Sequence, residues 1–89
     1  IIFMDINQLI SIVKSKLCKN ILIEDLNVED KTFLHKNHKN HKDGKFHLKL
    51  IIKSKELSKI NKIQSSKKIY KILDEELLKY IHSIQILVN

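Results

Sequence analysis

The chain contains no arginine, proline or tryptophan, a single glycine (Gly44) and a single cysteine (Cys18). One cysteine cannot form an internal disulfide, so stability must come from packing, a pattern suited to a reducing compartment. One glycine excludes a Walker loop and a dinucleotide fingerprint, both of which need several glycines at fixed offsets. Without arginine, a net charge of +7 rests entirely on lysine. Lysine offers phosphate a point charge rather than a planar fork, which weakens a nucleic-acid reading. The Lys, Asn and Ile bias is also what AT-rich coding sequence yields whatever the function. No apolar run approaches the ~18 residues of a membrane span, so the chain reads as a soluble one. Because it begins at Ile1, an upstream targeting segment would escape notice, and localisation stays open between cytosol and mitochondrion.

What is present matches a folded chain: 43% hydrophobic and 30% charged over 89 residues, enough for one domain spanning 1–89. Ile6, Leu9, Ile10, Val13 and Leu17 recur at helical spacing behind Asp5, a ready N-cap. Ile21 to Leu26 reads as a short strand closed by the polar stretch Asn27 to Lys31. A polar loop, 32–45, carries His35, His38 and His41. Phe46, Leu48, Leu50 and Ile52 alternate with His47, Lys49 and Ile51, the period of a half-buried strand. After a lysine-rich connector, Lys53 to Lys62, the residues Ile63, Ile69, Ile72, Leu73, Glu76 and Leu77 predict one long helix, the longest of the chain. Leu73 and Leu77 belong to its buried stripe. Ile81 to Val88 predicts a last strand with Ile84, Ile86 and Val88 on one face and His82 on the same parity. The order α-β-β-α-β implies an α/β (α+β) fold, a three-stranded mixed sheet with the helices packed on one face.

Catalytic constellations are missing. No nucleophile with an adjacent base and no carboxylate pair in a cleft can be argued, so the chain reads as no enzyme. Cys18, at the end of the first helix, is expected to be a packed small hydrophobe. The three loop histidines fall every third residue and could converge on a borderline metal, although solvated histidines in a polar loop are commoner. His47 stands on the strand face opposite Phe46 and Leu48, open to a surface or a structural role, and is left outside the ligand set.

The stretch from His47 to Ser54 resembles the His-Phe-x-Val-x-Val-Val-Ser strand of the BolA family. Ile69-Tyr70, Leu73, Glu75-Glu76-Leu77 and Ile81-His82-Ser83-Ile84 follow without a gap where that family has Val-Tyr, Leu, Glu-Glu-Leu and Val-His-Ala-Leu. Leu34-His35-Lys36-Asn37-His38 is similar to its Leu-His-x-Gly-His loop. Two segments depart: the family's Arg-His-Arg is here Ser65-Ser66-Lys67, and its Phe-x-Gly turn is Leu57-Ser58-Lys59.

The resemblance implies a fold similar to type II KH domains and a heterodimer with a monothiol glutaredoxin. It implies a bridging two-iron two-sulfur cluster shared with the glutaredoxin and glutathione, in cluster maturation, trafficking or iron regulation. The ligands it implies from this chain are His82 and His38, with His35 and His41 as alternates. Imidazole in place of thiolate raises a cluster's potential and binds only when deprotonated. On this reading the chain alone is a cofactor-free monomer that does not bind membranes. The alternative implied is a nucleic-acid-binding transcriptional regulator using Lys53, Lys67 and Lys68, weakened by the loss of Arg-His-Arg.

Overall fold

A computed structural model describes residues 4–32 and 45–89. Helix α1, Ile6–Asn20, starts where expected: the Asp5 side chain accepts from the Asn7 N–H, and Gln8 closes a capping box. Leu9, Val13 and Leu17, one face at four-residue spacing, are fully buried. Cys18 sits one position round from Leu17 and is exposed, so the expectation of a packed thiol is overturned.

Strand β1 is Asp25–Asp30, not Ile21 to Leu26. Ile21 ends α1 as its C-cap and buries its side chain, and Leu22 lies 70% exposed. The stretch taken as a polar terminator is the strand itself, with Val28 buried and Leu26 half-buried on its inner face, and Asp25 and Asn27 turned to solvent. Strand β2, Phe46–Lys53, buries Leu48, Leu50 and Ile52 as its alternation predicts.

The connector after β2 is not featureless. It holds a one-turn helix α2, Lys55–Ser58, capped by Ser54, whose hydroxyl accepts from the Leu57 N–H and donates to the Leu22 carbonyl. Leu57 is thereby driven into the core. The expected single long helix is two, α3 (Lys62–Ile72) and α4 (Asp74–Lys79), parted at Leu73. Asp74, Glu75 and Glu76 begin a fresh N-terminus there, where their charge meets the positive end of the dipole. At 15 residues α1, not this segment, is the longest helix among the described residues. Ile63 is 68% exposed rather than part of the stripe, and its place is taken by Ser65, buried with its hydroxyl donating to the Asn61 carbonyl. Leu73 is fully buried and Leu77 packs against the core, as expected.

Strand β3, Ile81–Val88, has the predicted bounds. The sheet runs β1-β2-β3, with β2 antiparallel to β1 and parallel to β3, the mixed arrangement read from the sequence. One face packs on α1, α2, α3 and α4 around Leu9, Val13, Leu17, Leu50, Ile52, Leu57, Ile69 and Leu73, and the other carries Asn27, Lys49, Gln85 and Leu87. Among the described residues no helix is long and apolar enough to cross a membrane.

One ion pair ties α1 to α4. Glu76, almost fully buried, takes the Lys16 Nζ at 2.6 Å through Oε2, and its Oε1 meets no partner among the described residues. The hydrogen bond to Glu76 holds the Lys16 ammonium above the ordinary lysine pKa. Removing one member of such a pair strands the other charge. Lys16→Met should cost about 2 kcal/mol, at the low side for buried pairs because Lys16 is 35% exposed. A raised lysine pKa contributes stability that is present at neutral pH and fades once pH climbs past ~10.4. Urea midpoints measured between pH 7 and 11.5 should therefore fall more steeply for the wild-type chain than for Lys16→Met, and parallel curves would refute the pair's contribution.

Candidate functional site

The register between β2 and β3 places the site. Phe46 pairs with Ile81 but His47 pairs with Ser83, so one residue of β3, His82, is passed over in the ladder. Such an extra residue bends its strand and re-aims its side chain. Parity counting put His82 with Ile84, Ile86 and Val88. The register shift instead gives the inward position to Ile81, which is buried, and leaves His82 exposed with its ring against His47.

The two imidazoles meet edge to face, centroids 5.0 Å apart and planes at 62°. His47 lies on the sheet face away from the main core, yet only 6% of it is exposed. Its ring Nδ1 and the Ser83 Oγ share a hydrogen bond of 2.6 Å. Its backbone is held as firmly: the N–H donates to the Thr32 hydroxyl and the carbonyl accepts from the Lys31 N–H at 2.7 Å. Beside this group lies a hollow lined by Lys31, His47, Lys49, Ser83 and Gln85. Lys31 is engaged with Glu29 at 3.2 Å.

His38, with its alternates His35 and His41, lies outside the described residues. The residues flanking that segment are placed, however, and both belong to the His82 end of the sheet. Thr32 supports His47, while the Lys45 Nζ reaches the Leu78 carbonyl and Phe46 N–H donates to the Tyr80 carbonyl, two residues ahead of His82. Among the described residues no group of three or more His, Cys, Asp or Glu side chains is arranged to hold a metal ion.

The lysines of the nucleic-acid reading are spread out. Lys53 ends β2, opposite the histidine end, and pairs in register with Asp25. Lys67 is exposed on α3, and its neighbour Lys68 is tied to Glu56 at 2.8 Å. That lysine, together with the Leu22 N–H, holds the Glu56 carboxyl below the usual carboxylate range.

His47 is the residue that sequence reasoning set aside and the fold brings to His82. The available signal was Ser83, a hydroxyl where the family pattern has alanine.

A search of curated proteins gives no match. Among solved structures, the chain is similar to the BolA domain of SufE1 from Arabidopsis thaliana, with a TM-score of 0.75 and 28% identity over 86% of this chain and 85% of that one. BolA1 from Arabidopsis thaliana matches equally, TM-score 0.75 and 28% identity, over 89% and 87% of the two chains. BolA1 from Mus musculus shares the fold at a TM-score of 0.70 and 18% identity, covering 86% of this chain and 60% of that one. The family model described as BolA-like protein matches residues 17–89. With that match running from the last turn of α1 to the end of β3, the chain belongs to the BolA-like family.

Proposed function

We infer that this chain is a non-enzymatic partner of a monothiol glutaredoxin, sharing with it and glutathione a bridging two-iron two-sulfur cluster in cluster trafficking or iron regulation. The observation that carries the reading is His82, an exposed imidazole at a register shift, backed by His47 at the end of the sheet from which the histidine-bearing segment departs. His38 is six residues from Thr32 and seven from Lys45 along the chain, a contour of at most roughly 20–25 Å from either anchor, while His35 is three residues from Thr32 and His41 four from Lys45. His82 and one of these would supply the imidazole corner, the partner the thiolates. Neutral imidazole in place of thiolate lowers the charge on such a cluster and raises its reduction potential.

The reading is tested by mixing the chain with a monothiol glutaredoxin, glutathione, iron and sulfide under anaerobic conditions. A heterodimer should elute with a visible spectrum distinct from that of the glutaredoxin homodimer. Persistence of the homodimer's elution and spectrum at excess BolA-like chain would overturn the proposal.

A further inference from the structure

Among the described residues, His82 has little of its own to aim it. As the residue skipped by the β2–β3 ladder it lacks a cross-strand partner in the register, and its side chain is exposed. What it touches is the edge-to-face ring of His47. A histidine ring turns broadly about its outer torsion unless a hydrogen bond stops it. Among the described residues, one bond that does so for His47 is the 2.6 Å contact to the Ser83 hydroxyl, on a backbone already fixed by Lys31 and Thr32. The family pattern has alanine at the Ser83 position, and a methyl group cannot make this bond.

We propose that Ser83 and His47 are positioning residues: the Ser83 hydroxyl locks the His47 ring, and the locked ring holds the His82 imidazole in one direction before any partner arrives. The role of His82 as a ligand rests on the function proposed above, but the ordering itself is a property of the isolated chain. A donor held in place by a supporting hydrogen-bonded group binds more tightly than one that must be ordered on binding.

Serine 83 is exposed, so substitutions there leave the core intact. Ser83→Thr keeps the hydroxyl, and Ser83→Val has nearly the same shape without it. In the metal-free chain, labelled for side-chain NMR, the wild type and Ser83→Thr should show one His82 rotamer by three-bond couplings and cross-relaxation between the two imidazole rings. In Ser83→Val the couplings should average and the inter-ring signals fade, with the amide spectrum otherwise preserved. Assembly with a cluster-loaded monothiol glutaredoxin should weaken roughly tenfold in Ser83→Val, the low end for loss of an outer-shell partner, and stay within about twofold of wild type in Ser83→Thr.

An unchanged His82 rotamer in Ser83→Val, or an averaged one in the wild type, would overturn the positioning role. If the NMR results are as expected and no glutaredoxin complex forms, the positioning stands and the partner reading falls. If His82 is needed for the complex while Ser83→Val alters neither rotamer nor affinity, the reverse holds.

Discussion

His82→Ala is expected to leave the isolated domain folded and to erase the mixed-ligand complex. The two effects separate because of where the residue sits. Its side chain is exposed, and its neighbours Ile81 and Ser83, not His82, occupy the paired register positions. Truncating such a side chain changes stability by less than about 0.5 kcal/mol, so the thermal melt should move little. The proposed complex would have no such tolerance, because a missing ligand would leave one iron incompletely coordinated. The visible spectrum of the mixture should revert to that of the glutaredoxin homodimer. His82→Cys sharpens the test. A thiolate can replace the imidazole, so a heterodimer should still assemble, but the added negative charge should lower the reduction potential relative to the wild-type complex. A wild-type spectrum from His82→Ala would remove this residue from the ligand set.

Leu50→Ala is expected to be the most damaging single truncation in the sheet. Leu50 lies at the centre of β2, between Val28 of β1 and Ile86 of β3, and is fully buried. Burial on this scale gives losses of about 2–5 kcal/mol for leucine to alanine, transfer and cavity terms together. Domains of this size are stable by about 5–10 kcal/mol, so the variant should lose a fifth or more of its total. Leu87→Ala is the control. Leu87 lies on the opposite face and is 38% exposed, so its truncation should cost well under half as much. Equal shifts of the urea midpoint for the two would contradict the one-sided core.

Local rules carried the reading of this chain wherever one face of an element meets the core and the ends carry a chemical cue. The period and the Asp5 cap of α1, the alternation of β2 and the bounds of β3 are of this kind. They failed where a local cue competed with a distant one. Ile21, Leu22 and Ile23 look more strand-like than Asp25 to Asp30, yet Ile21 ends a helix and the acidic stretch needs only Leu26 and Val28 to hold its inner face. Helix α2 escaped because a single apolar residue, Leu57, anchors it amid lysines. The division at Leu73 is written in Asp74-Glu75-Glu76, of which Glu76 alone counts towards the continuous stripe. His82 is the clearest case: its side depends on a register shift against a strand more than 30 positions earlier, which no count along β3 can reveal. The same shift brings in His47, whose nearness to His82 is a property of pairing rather than of spacing.

Helix α1 carries a lesson for anyone transplanting this module. The family-model match begins at Leu17, in the helix's closing turns, but Leu9 and Val13 ahead of that point are as deeply buried as any residue in the sheet, and Lys16 answers the carboxylate of Glu76. A cloning boundary drawn at the edge of the likeness would saw through the roof of the core. Met4, just ahead of the Asp5 cap, also packs against that core, so the boundary belongs upstream of both.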